Sequence, residues 1–182
     1  MTEVNNIVYK FYPRNISCYT VEYEGTKEYT LLQSIKTRND ERWEKFMDDC
    51  AAFFGKDNIE DKSNGEVSNI LVIAISFQRK KYIVSMYLSK LIKRYCFLVT
   101  KLESQLQPFP DFNSEQKRYW NVAPIEIEEE IITLNKLIKK KYSDYILLDD
   151  LDLNTIVKDI ATPGHDLGSA KLFNILFSNY IW

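Results

Sequence analysis

Few residues of this chain are of a type and spacing that could do chemistry. His165 is its only histidine. Beside Asp166 and after the Pro163-Gly164 turn pair, its imidazole is of the type that serves as a general base. It has no evident nucleophile and no second histidine for a metal site, so an exposed turn histidine is expected. Asp149, Asp150 and Asp152 form an acidic cluster. They lack the ligand spacing and the glycine of a calcium loop, which leaves solvated carboxylates as the plainer reading. No serine sits in a G-x-S-x-G context, and no glycine-rich phosphate loop occurs. Cys18, Cys50 and Cys96 are odd in number, far apart and free of any C-x-x-C pairing. They read as small buried hydrophobes in a reducing setting. The expectation is therefore a protein without a catalytic set, cofactor or metal.

Charge is distributed more tellingly. Residues 69–101 contain Arg79, Lys80, Lys81, Lys90, Lys93, Arg94 and Lys101 and no acid, in a chain of net charge −2. Tyr82, Tyr87, Tyr95 and Phe97 are interleaved with these bases, a pattern that can serve nucleic-acid binding. The sequence pI of about 5.6 speaks against it, because phosphate-tracking clusters usually dominate a domain's charge. Lysine and arginine also protect sheet edges from unwanted pairing. The opposite imbalance lies in residues 142–166, where Asp144, Asp149, Asp150, Asp152, Asp159 and Asp166 face one base, Lys158.

The elements that must position these residues are those of a small α+β domain. Ile70 to Phe77 is an apolar, β-branched run of strand length. Gln78 to Lys81 is a polar break short enough for a hairpin, without Asn-Gly chemistry. Tyr82 to Leu88 and Tyr95 to Thr100 then alternate as strands. A helix competes over 82–102, where Val84, Leu88, Leu91, Tyr95, Leu98 and Leu102 recur at threes and fours. The β-branched and aromatic content favours strands. A central antiparallel sheet over about 69–101 follows, with Ile7, Tyr9 and Phe11 predicting an additional N-terminal strand ended by Pro13.

Helical period begins at Thr26. Tyr29, Leu32 and Ile35 share a face, and Trp43, Phe46, Cys50 and Phe53 continue it to Gly55, a predicted C-cap. Thr37 to Asp40 carries capping residues and predicts a corner between two helices over 26–54. Lys56 to Ser68 reads as a loop. Ser104 to Val122, with Pro108 and Pro110, reads as a long loop with functional potential. Pro124 opens a helix to about Lys141, with Glu126 to Glu130 and Lys139 to Lys141 matched to its dipole. Tyr145 to Leu148 reads as a helix end or a strand, Thr155 to Ala161 as a short strand, and Ser169 to Ser178 as a last helix. Tyr180 to Trp182 suggests a tail tied to the body.

The chain has 182 residues, 45% hydrophobic, 27% charged and 14% aromatic, with five Gly and five Pro. One soluble domain over 1–182 is expected. The N-terminal MTEVNNIVYKF has no secretory signal pattern, and no apolar run is long enough to cross a membrane.

The order of segments carries a family resemblance. A strand leads to Tyr12-Pro13-Arg14-Asn15-Ile16, then to a long aromatic helix, the apolar strands, and Gly168-Ser169-Ala170-Lys171-Leu172-Phe173-Asn174-Ile175-Leu176-Phe177-Ser178. This pattern resembles the small immunity proteins of bacterial polymorphic and contact-dependent growth-inhibition toxin systems, over most of the chain. The resemblance implies a cytoplasmic, non-enzymatic protein that binds one cognate toxin domain and covers its active site. It transfers no binding residue by position. The charge asymmetry alone nominates Asp144, Tyr145, Asp149, Asp150, Asp152 and Asp159 as the partner surface, since acids can stand in for the phosphates a nuclease toxin expects. The alternative is a nucleic-acid-binding module using the basic 79–94 face.

Overall fold

The structure is a computed structural model that describes residues 2–38, 40–102 and 117–178. Three long strands, β2 (Ser68–Phe77), β3 (Lys80–Ser89) and β4 (Arg94–Leu102), form its centre. All pair antiparallel, with Ile73 opposite Val84 and Val84 opposite Val99. The strand period of two sorts their side chains. Leu71, Ile73, Val84, Met86, Phe97 and Val99 face one way; Ile70, Tyr87, Cys96 and Leu98 face the other. The helical spacing over 82–102 is thus overridden. Gln78 and Arg79 alone turn the chain between β2 and β3, both at positive φ (45° and 68°).

Shorter strands widen the sheet. β1 (Ile59–Asp61) flanks β2, and β5 (Lys117–Trp120) flanks β4. β6 (Ile146–Leu147) pairs parallel with the start of β4. The order is β1-β2-β3-β4-β5, with β6 also against β4.

Four helices form on the rules their sequences obey. α1 (Thr2–Val8) opens the chain, and α3 (Lys27–Lys36) begins at Thr26, whose hydroxyl accepts from the Tyr29 amide at 3.2 Å. Asp40 caps α4 (Glu41–Phe54), accepting from the Arg42 amide at 3.0 Å, and Gly55 ends it at φ 88°. A 3-10 turn over Ile125–Ile127, behind Pro124, leads into α5 (Glu128–Lys141). α4 and α5 cover one sheet face: Trp43, Phe46, Cys50, Ile131, Leu134 and Ile138 are all buried there. Each such side chain contributes roughly 1.5–3 kcal/mol of burial free energy. Asp49 of α4 meets Lys141 and Lys140 of α5 at 3.3 and 3.6 Å, clipping the pair together.

The opposite face is covered by chain from both ends. Val8 and Tyr12 pack with Leu32, with Leu153 of α6 (Asp150–Leu153) and with α7 (Leu172–Leu176). The Phe173 ring of α7 lies 5.1 Å from Tyr87 and 4.9 Å from Trp120. The Tyr12 hydroxyl donates to the Ile175 carbonyl at 2.9 Å, and Ser68 Oγ to the Phe177 carbonyl at 2.6 Å. A one-turn helix, α2 (Val21–Glu24), sits between α1 and α3.

Several expectations are corrected. The predicted N-terminal strand is helix α1 followed by turns, because Val4, Ile7, Val8, Phe11 and Tyr12 also satisfy the helical period, and that face packs on the core. The loop over 56–68 contains β1. The end of the predicted long loop is strand β5; residues 103–116 lie outside the described residues, as does the expected tail over 180–182. Thr155 to Ala161 makes a single bridge, Ile156 to Lys171, since Val157, Ile160 and Ala161 are buried at three-four spacing and the chain turns to bury them. The last helix starts three residues late: Gly168 at φ 82° and a turn from Ser169 to the Asp166 carbonyl keep the preceding chain out of it.

Candidate functional site

The acidic segment leaves the end of α5 at Tyr142 and runs outward along the sheet. The Ile146 and Leu148 amides bond to the Lys93 and Tyr95 carbonyls at 3.1 and 2.8 Å, so β6 is held by the start of β4. Asp149 then caps α6, accepting from the Leu151 amide at 2.8 Å, and Asp150 accepts from Asn154 Nδ2 at 3.0 Å. These short-range bonds place Asp149, Asp150 and Asp152 on one exposed or half-exposed helical turn.

The other nominated residues separate by role. Asp144 is exposed and pairs with Lys93 at 2.7 Å, which holds its carboxyl below the usual carboxylate range. Asp159 accepts from Arg14 Nε at 2.6 Å and from the Tyr9 hydroxyl at 3.2 Å, and its carbonyl accepts from the Asn15 amide at 2.8 Å. Its carboxylate is thus engaged as a staple for the N-terminal segment. Tyr145 is half-buried, donates to the Ser89 carbonyl at 3.3 Å and packs edge-on against Tyr142.

The charge pattern did not point to the apolar part of this surface. Ile146, Leu147, Leu151 and Ile156 are 55%, 38%, 82% and 51% exposed. They lie within a thirteen-residue stretch, 144–156, with four acids and no base. The signal available was an aliphatic interleaving of the acidic run. Exposed aliphatic side chains among charged ones are a common feature of interaction surfaces.

The basic stretch is less available than its residue count implies. Lys80 donates to Glu126 at 2.8 Å, Lys93 pairs with Asp144, and Arg94 Nη1 donates to the Lys93 carbonyl at 3.1 Å. Tyr82, Tyr87, Tyr95 and Phe97 are all buried in the core. Base stacking needs an exposed ring, and none of these four offers one.

His165 is half-buried in a tight reversal, where its backbone exchanges hydrogen bonds with Thr162 at 2.8 and 3.0 Å. Its imidazole lines a small cavity of about 200 Å³ with Trp120 and Phe173 and makes no hydrogen bond among the described residues. Cys50 and Cys96 are buried and Cys18 is partly so; all three are free thiols. Burial pushes the Cys50 thiol up to about 12. Among the described residues no group of three His, Cys, Asp or Glu is placed to hold a metal ion, and no helix is long and apolar enough to cross a membrane.

A polar cleft, unforeseen in the sequence, opens where β2 begins and β3 ends. Two adjoining hollows of about 500 and 460 Å³ share Arg38, Asp40, Asn69 and Lys90 in their linings. The corner between α3 and α4 forms one wall, the turn after β1 another, and Tyr145 a third. Lys90 Nζ, half-buried, donates to the Glu66 and Lys36 carbonyls at 3.2 and 3.4 Å. Burial pulls its ammonium below the usual lysine range, opposed by the nearby charges of Asp61, Glu66 and Asp40.

Two of the three carboxylates lining the cleft already hold protein donors; the third, Glu41, has no hydrogen bond or ion pair among the described residues. Asp40 takes the Arg42 amide and Nε on one oxygen and the Tyr142 hydroxyl, at 3.2 Å, on the other. Asp61 takes Trp43 Nε1 at 2.8 Å on one oxygen and the Ser63 amide and hydroxyl on the other.

No protein-family model matches this chain, and neither a curated protein nor a solved structure does so. Among the described residues the class the fold defines is α+β, one six-stranded sheet packed by helices.

Proposed function

We propose that this chain is an immunity-type protein that binds a cognate bacterial toxin domain and covers its active site, working in the cytoplasm. The observation that carries the reading is the stretch 144–156, where four exposed large aliphatics stand among four aspartates with no base. Aliphatics left in water cost free energy that a partner's apolar surface returns. The acids would speed encounter with a basic catalytic groove through long-range attraction. Asp149, Asp150 and Asp152 are the charged part of this surface, Ile146, Leu147, Leu151 and Ile156 its apolar part. Asp144 has its charge paired with Lys93. Three free thiols suit a reducing compartment.

The test begins with the neighbouring gene. If it encodes a large secreted protein with a variable C-terminal domain, that domain should be co-expressed with this chain and the complex titrated by calorimetry. A stable complex and loss of toxicity are expected. Leu151→Glu, and separately the triple Asp149→Lys, Asp150→Lys, Asp152→Lys, should each weaken binding at least tenfold with an unchanged circular dichroism spectrum. Full affinity in both variants would remove this face from the interface, and no complex with the neighbour's domain would remove the immunity reading.

A further inference from the structure

The cleft between the α3–α4 corner and the start of β2 supports an inference that does not depend on the interface above. We propose that it is a binding site for a small anionic ligand bearing a carboxylate or a phosphate, held by Arg38, Lys90 and Asn69.

Three observations converge on this. The Asn69 side chain lines both hollows, is 4% exposed, and makes no hydrogen bond among the described residues. Buried amides are ordinarily paired, so this one has donor and acceptor capacity directed at whatever fills the cleft. Arg38, at the mouth, makes no ion pair or side-chain hydrogen bond among the described residues. A guanidinium carries five donors in a fork that matches carboxylate and phosphate oxygens. Lys90 uses two donors on carbonyls and has a third.

The acceptors show the opposite balance. Every carboxylate oxygen of Asp40 and Asp61 already accepts from a protein donor. Glu41 is then the one lining carboxylate without a donor among the described residues, set against the spare donors of Arg38, Lys90 and Asn69. Hollows of about 500 and 460 Å³ fall in the range of small-molecule sites.

Calorimetric titration of the full chain at low ionic strength, with inorganic phosphate, with citrate and with a neutral sugar, tests the proposal. Saturable binding of phosphate or citrate, and none of the sugar, is expected; the preferred anion tells which oxygen chemistry the site takes. Arg38→Gln, an exposed change that leaves the core intact, should weaken that binding about tenfold or more. Asn69→Asp should abolish it by placing a carboxylate against the anion. Arg79→Gln, in the distant hairpin, should leave it unchanged. Absence of saturable binding at millimolar anion overturns the proposal. So does an Arg79→Gln loss as large as that of Arg38→Gln, which would mean diffuse charge attraction, and so does full binding in Arg38→Gln.

Discussion

Replacing Gln78-Arg79 with Asn-Gly should raise the stability of this protein. Both residues are held in the left-handed region, at φ 45° and 68°, because only two of them join β2 to β3. For a residue with an ordinary side chain that conformation costs roughly 1–2 kcal/mol. Asparagine tolerates it far better and glycine adopts it freely, which is why Asn-Gly is favoured in two-residue hairpins. Relief at two positions is partly offset by the extra freedom glycine gives the unfolded chain, about 0.5–1 kcal/mol. The net gain should be about 1 kcal/mol. For a chain of this size that raises the melting temperature by about 2–4 °C. Urea unfolding should show a higher midpoint at unchanged slope. Arg79→Ala, which removes the charge and keeps the strain, should stay within about 0.5 kcal/mol of the parent. An unchanged or lower midpoint in the Asn-Gly variant would refute the strain argument, and an equal gain in Arg79→Ala would assign the effect to charge.

Other outcomes follow from the contacts described. Asp159→Asn should lower stability by about 1 kcal/mol in chemical denaturation, because Arg14 and Tyr9 lose their shared anion and Arg14 is itself largely solvated. The same variant should bind a partner as well as the parent does. Glu126 is held down at about 2, from an ordinary 4.5, chiefly by its hydrogen bond from Lys80. A lowered carboxyl stabilises the fold above its unfolded value and ceases to as pH falls through the folded one. Glu126→Gln should therefore be less stable than the parent at neutral pH and converge with it between about 4.5 and 2, as read from acid titrations of the unfolding midpoint. Thiol titration of the native protein with a disulfide reagent should modify Cys18 first, while Cys50 and Cys96 react only on unfolding, since both are buried.

What the sequence disclosed followed the strength of local pattern. α5 was legible because the acidic first turn, the Lys139–Lys141 end and the Ile131-Leu134-Ile138 stripe all agree, although the α-helix begins at Glu128, after a 3-10 turn behind Pro124. The three central strands were legible because alternation ran for several residues on each. The N-terminal segment satisfied both periods at once, and only the packing of Val8 and Tyr12 on the core decides between them. β1 and β5 are three and four residues long, too short to carry a period.

At the surface, charge counting grouped six residues that the fold divides. Asp159 spends its carboxylate on Arg14, 145 positions away, a pairing no local pattern could announce. The polar cleft was invisible for the same reason. Its lining comes from the α3–α4 corner, the turn after β1, the first residues of β2, the end of β3 and Tyr145.

The two covers of the sheet differ in when they can exist during synthesis. Tyr87, Cys96 and Leu98 are made early, yet Phe173, Ile175 and Phe177, which shield them, are among the last described residues to leave the ribosome. Until then that flank has only the earlier chain, Val8, Tyr12, Leu32 and Leu153 among it, to cover it. Truncation before residue 172 should therefore yield inclusion bodies instead of a smaller soluble domain.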